Sequence, residues 1–293
     1  MRTRRHPTPA GEGALLGVSP GPLPPRTTTA AGPSSVRRQV TVFVLVTLAL
    51  SWAFIPVTGG DLLPHGPMLA AFLVLAAVSG RRGVSGLWAQ MTRWRVDWRW
   101  YVVAPGIFVG MHAAALGLAS AARVTTVDTA ALSWGVLLGL WIPFVLVGGQ
   151  WEEPGWLGYL VRRLRDARAY SPLLVLLVAG LMRMVWHTPL LLLGAIPWYD
   201  YVFGTFALQV VLSWLYDRTG GCVLLPMVCH LSSNLTLATV FLTVTEPDRW
   251  RYWLVFVVIE VAVAVGILLA TRGRFGRPAR EAVAEPESSP LRR

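Results

Sequence analysis

Long apolar stretches fall near residues 40–57, 66–79, 101–122, 132–149, 172–195, 201–216, 222–242 and 252–270. A helix needs about 20 residues to cross the hydrocarbon core, so most of these runs are long enough to span; the 66–79 run is short. The expected fold is therefore all-α, a polytopic membrane protein with about eight transmembrane helices. The 1–38 segment is rich in Pro, Gly, Thr and Arg and lacks an apolar period. It reads as a disordered cytoplasmic tail, and 271–293 as a second one, flanking a membrane domain at 39–270.

Between Gly83 and Trp100, Trp88, Trp94, Trp98 and Trp100 alternate with arginines. That pattern predicts an interfacial helix with its indoles at headgroup depth.

Composition agrees with the pattern. The chain has 293 residues, 54% of them hydrophobic and 14% charged, and soluble domains carry roughly 25% charged residues. All 26 basic residues are arginine. With both ends on one side and eight crossings, 22 of those 26 fall in the tails or in alternate loops. Arg123, Arg249 and Arg251 fall on the other side and Arg183 inside a helix. This asymmetry predicts cytoplasmic termini and accounts for the net charge of +11 without nucleic acid. The expected partners are membrane lipid and a membrane-bound peptide or protein, and the expected location is a bacterial inner or plasma membrane. Cys222 and Cys229 lie seven residues apart, about 10 Å along a helix, too far for a disulfide.

Against this background a few polar groups stand out: Glu152 and Glu153 in Gln-Trp-Glu-Glu-Pro-Gly-Trp, His187 in Val-Trp-His-Thr-Pro, and His230 with Asn234 in Cys-His-Leu-Ser-Ser-Asn. Charged side chains at membrane depth are costly and usually line a polar cavity. The helix of the 132–149 run is expected to continue through the glutamates to Arg162, which places Glu152 about 15 Å above the cytoplasmic end. Successive helical residues point about 100° apart, so one glutamate can face a cavity while the other pairs with a neighbour. His230 and Asn234 share a face. The cavity is expected to open toward the cytoplasm. His112 reads as a packing residue, His65 and Asp200 as solvated loop positions, and Glu260 as a membrane-depth acid with no assigned role.

In order and spacing, these residues resemble the CPBP intramembrane proteases, relatives of the CAAX prenyl endopeptidases and of the bacteriocin-immunity Abi proteins. Trp-Glu-Glu-Pro-Gly-Trp-Leu-Gly-Tyr-Leu, Trp-His-Thr-Pro-Leu and Leu-Pro-Met-Val-Cys-His-Leu-Ser-Ser-Asn carry the resemblance, as does a Pro67-containing helix followed by an Arg/Trp-rich loop. It covers Val40–Leu269. The resemblance implies cleavage of a membrane-associated or lipidated peptide by activated water. Glu152 and His187 would activate the water, His230 and Asn234 would donate to the oxyanion, and Glu153 would orient or neutralise its surroundings. The family is named as metalloproteases. No His-Glu-x-x-His helix is present, but Glu152, His187 and His230 form a candidate zinc set.

Two positions depart from the family pattern. Leu157 stands where the family has arginine, and Arg183 where it has phenylalanine. Arg183, one turn from His187, is expected to pair with Glu153 and supply the displaced cation. The same departures support an alternative, a catalytically inactive immunity-type or partner-binding protein. A proton-coupled transporter is the third reading.

Overall fold

The computed structural model describes residues 33–167 and 170–273. Among these the protein is helical throughout, apart from loops and one isolated bridge between Val127 and Val244. Six stretches are long and apolar enough to cross a membrane: Ser34–Thr58, Gly66–Met91, Arg99–Ala121, Trp134–Asp166, Leu224–Thr243 and Glu246–Thr271. The other two expected spans are shorter helices, Pro172–Trp186 and Thr205–Arg218, the latter extended at its start by π-helical turns at Asp200–Gly204.

In chain order the helices are α1 (Pro33–Trp52), α2 (Ile55–Thr58), α3 (Gly66–Met91), α4 (Arg99–Ala121) and α5 (Trp134–Val147). They are followed by α6 (Arg162–Asp166), α7 (Pro172–Trp186), α8 (Thr188–Leu192), α9 (Thr205–Arg218), α10 (Leu224–Thr243) and α11 (Glu246–Thr271). Helix α10 packs against α4, α5 and α9, and α11 against α4 and α9. Helix α3 packs between α1 and the segment joining α5 to α6.

That joining segment positions the site, and it departs from the expected continuous helix. Helix α5 stops at Val147, a 3-10 turn covers Gly149–Glu152, and π-helical turns run from Pro154 to Val161. A helix end leaves carbonyls without partners. Here Gln150 Nε2 donates to the Phe144 and Val145 carbonyls at 2.7 and 2.8 Å, and Trp151 Nε1 donates to Val145 at 3.2 Å. Side chains just past the break thus satisfy the helix they terminate. Wide helical turns commonly occur at functional sites, and every residue from Pro154 to Val161 is buried. Gly155 lies against the Pro67 backbone, where a β-carbon would come within 2.5 Å, so only glycine permits this approach of the segment to α3. Phe43 of α1 closes the other side, its ring 5.8 Å from Trp156 and 4.8 Å from Tyr159.

Several boundaries differ from those expected. Helix α1 begins at Pro33, inside the stretch read as a tail, because Val36 is buried against the bundle and anchors its first turn. The 66–79 run continues past Gly80, whose φ of 57° kinks the helix, as far as Met91. The expected interfacial helix over 83–100 is therefore the second half of α3, then a loop, then the start of α4. Its exposed Trp88, Trp94 and Trp98 remain on the surface. The run at 172–195 breaks at His187, where Pro189 follows in the first turn of α8. At the other end, α11 runs to Thr271; the rest of the expected C-terminal tail beyond 273, and the N-terminal tail before 33, lie outside the described residues.

Candidate active site

The buried polar residues of the segment joining α5 to α6, of α7 and of α10 meet in one cluster. Arg183 is fully buried and sits between the two glutamates. Its Nη1 donates to Glu152 Oε2 at 3.2 Å and to Glu153 Oε1 at 2.9 Å, and its Nη2 donates to Glu153 Oε2 at 2.8 Å. The third guanidinium nitrogen, Nε, donates to Gln209 Oε1 at 3.1 Å, and Gln209 in turn donates to Ser213. The Trp156 ring lies 5.7 Å from the guanidinium carbon and also donates its Nε1–H to Glu152 Oε2. The pairing of Arg183 with Glu153 expected across helices is thus present, and the cation also reaches Glu152. Leu157 is buried in the apolar core.

Helix geometry separates the two carboxylates as expected. Glu153 has both oxygens engaged, since His230 Nδ1 lies 2.7 Å from its Oε1. A carboxylate held by arginine accepts, so His230 Nδ1 is the donor. Glu152 Oε2 is engaged too, whereas its Oε1 has no protein donor among the described residues and Glu152 lines an open cavity. That cavity holds about 530 Å³ and is also lined by Asp61, Leu63, Phe144, His187, His230 and Asn234.

His187 closes α7, and its Nδ1 lies 2.9 Å from the Arg183 carbonyl. A carbonyl only accepts, so Nδ1 carries the proton and Nε2 is left with a lone pair. The turn is held from outside by Trp52 of α1, whose indole donates to the Trp186 carbonyl at 3.1 Å. On α10, His230 and Asn234 share a face as their spacing requires. Their Nε2 and Nδ2 atoms converge above Gly149, where a β-carbon would lie 2.5 and 3.0 Å from them. Gly149 thus keeps open a spot that faces two ring or amide nitrogens.

A metal fits this donor set poorly. Among the described residues, one trio of potential ligands comes within 4.8 Å of one another, and it is Glu152, Glu153 and His230, without His187. Three of the four carboxylate oxygens in that trio already accept from Arg183, and His230 Nδ1 is committed to Glu153. The guanidinium occupies the cation position.

Part of the cavity lining comes from the end of the bundle away from the arginines. Asp61 and Leu63 belong to the α2–α3 connection, at the end of the bundle opposite Arg93, Arg162 and Arg163. His65 is half-buried rather than solvated: it stacks on Trp151 at 5.4 Å, and burial lowers its imidazole below the usual 6.5. Asp200 starts the π-turns before α9 and accepts from Trp253 Nε1 at 3.1 Å. His112 has the packing role expected, bonded to Tyr252 Oη at 2.6 Å and stacked on Phe256. Cys222 and Cys229 are both buried and unpaired.

Residues 133–236 match the family model described as type II CAAX prenyl endopeptidase Rce1-like. The resemblance to the CAAX endopeptidases is therefore borne out. The matched Rce1-like stretch contains every polar residue of the cluster, from Gly149 to Asn234. No curated protein matches the chain. Within the Rce1-like stretch two contributors had escaped sequence reasoning. Gly149 carries no side chain to mark it, and Gln209 lies inside the apolar Phe-Ala-Leu-Gln-Val-Val run. A lone glutamine in such a run, with an unpaired arginine elsewhere at membrane depth, was the available signal.

Proposed function

We propose that this membrane protein is an endopeptidase that uses Glu152 as its base and takes a membrane-associated or lipidated peptide from the 530 Å³ cavity. The observation that carries the reading is the free Glu152 Oε1 facing that cavity together with the unprotonated His187 Nε2 and the paired nitrogens over Gly149.

Glu152 Oε1 takes a proton from a water that His187 Nε2 helps to hold. The hydroxide oxygen attacks the scissile carbonyl carbon, and the carbonyl electrons move to its oxygen. That oxyanion occupies the spot above Gly149, where Asn234 Nδ2–H and a protonated His230 Nε2–H donate to it. With His230 protonated, the buried group of two glutamates, one arginine and one histidine carries no net charge. Collapse of the intermediate breaks the C–N bond, and the proton held by Glu152 passes to the departing amine. Glu153 takes no part in proton transfer; saturated by Arg183 and His230, it fixes both. The membrane in question is proposed to be a bacterial plasma membrane.

A second reading is binding without cleavage. The grip of Arg183 on Glu152 Oε2 favours it, because one of the two carboxylate oxygens is already taken up in holding the cluster together. Comparing membrane-peptide fragments in cells expressing wild type and Glu152→Gln separates the two. The proposal expects fragments that disappear in the variant; identical fragment sets, with the protein present in both, favour the binding reading.

A further inference from the structure

The π-segment that follows the glutamates has a second polar opening at its other end. A cavity of about 290 Å³ lies where α3 meets the junction of this segment with α6, at the arginine-rich end of the bundle. Arg82, Tyr159, Arg162 and Arg163 line it. Its charge is unbalanced. Asp166 at the rim pairs with Arg162 at 3.9 Å, but no carboxylate pairs with Arg82 or Arg163 among the described residues. Two donors in the wall behind it are also unused. Tyr159 is only 3% exposed and its hydroxyl has no partner, and Arg163 Nε is buried without one. A buried donor left without an acceptor costs about 1–3 kcal/mol, so a pocket with two such donors and two unmatched cations is built for an anion. Exposed Trp88 and Trp94, on the same end of the bundle, mark headgroup depth.

We propose that this pocket binds a phosphate ester, with the headgroup of an anionic phospholipid as its natural source. Arg82 and Arg163 supply the charge, and the Tyr159 hydroxyl donates to a phosphate oxygen. A bound headgroup would brace the far end of the segment that holds Glu152 and Glu153. The site stands independently of the catalytic proposal, because its test reads binding and not cleavage.

The full chain would be placed in phosphatidylcholine nanodiscs with a rising fraction of phosphatidylglycerol, and retained lipid counted by native mass spectrometry alongside the unfolding temperature. Wild type should retain one phosphatidylglycerol selectively and unfold at a higher temperature as its fraction rises. Arg163→Gln and the isosteric Tyr159→Phe should each weaken retention roughly tenfold, the scale of one charge-assisted hydrogen bond. Arg99→Gln, an arginine at the same end that does not line the cavity, should leave retention unchanged. A parallel arm adds glycerol phosphate or inorganic phosphate to protein in phosphatidylcholine alone. Protection by these solutes that is lost in Arg163→Gln supports the site and assigns a soluble source; protection by the lipid alone supports the site and assigns the headgroup. Equal retention by wild type and by well-folded Tyr159→Phe and Arg163→Gln, or an equal loss in Arg99→Gln, would overturn the proposal in favour of general surface attraction.

Discussion

Replacing Arg183 with methionine tests how the buried charges are held. Methionine roughly matches the length of the aliphatic stem but removes four hydrogen bonds: two to Glu153, one to Glu152 and one to Gln209. It leaves two carboxylates that are 4% and 0% exposed, with His230 as the remaining cation partner. Breaking a buried pair by deleting one partner costs about 3–5 kcal/mol, because the other charge is stranded. Arg183→Met should therefore destabilise the protein by about 3–5 kcal/mol. Removing the stranded charge should return part of that loss. Glu153 accepts two of the four bonds, so the double variant Arg183→Met/Glu153→Gln should be more stable than the sum of the single effects predicts, by about 1–3 kcal/mol, as expected for coupled neighbours. The assay is reversible unfolding in mixed micelles, followed by tryptophan fluorescence, for the wild type, both single variants and the double. Additive effects, or a cost below about 1 kcal/mol for Arg183→Met, would show that the guanidinium does not neutralise this pair, and the charge-balanced site would have to be abandoned.

Two further outcomes follow from the same geometry. Gly149→Ala puts a methyl within 2.5 Å of His230 Nε2 and 3.0 Å of Asn234 Nδ2, filling the oxyanion spot without removing a polar group. It should lower kcat by about 100-fold or more, the scale for loss of an oxyanion donor, and also lower the unfolding midpoint, because the buried His230 ring must shift; unchanged kcat in the purified variant would place the oxyanion elsewhere. Because Arg183 occupies three of the carboxylate oxygens, prolonged dialysis against EDTA or 1,10-phenanthroline should leave peptide cleavage intact. Loss of activity that zinc restores would contradict this.

The spans and the polar set were legible in the chain because both rest on local signals. Apolar run length marks α1, α4, α10 and α11 directly, and a charged residue inside such a run is conspicuous wherever it falls. The link between Arg183 and Glu153 was legible for the same reason, since a buried cation requires an acid at similar depth. What escaped depends on contacts remote in sequence or on side chains completing a backbone. The break after Val147 is stabilised by Gln150 and Trp151 reaching back to the carbonyls of α5, and no propensity of the Gly148–Glu153 stretch announces that. The cavity lining draws together the α2–α3 connection, the end of α5 and α10, segments far apart in the chain. Arginine counts carry no information on which helices line a crevice. Gly149 is the sharpest case: its role is the space it leaves for His230 and Asn234, some 80 positions away.

The most direct test of the account is steady-state cleavage of a fluorogenic transmembrane peptide by purified protein in proteoliposomes, comparing wild type with Glu152→Gln. The substitution keeps the side chain's size and leaves Glu153 bound to Arg183 and His230, so the fold should survive while the base is lost. The account predicts a fall in kcat of about 100- to 10,000-fold with near-normal KM, as for removal of a general base. Glu152→Gln cleaving at the wild-type rate would contradict it.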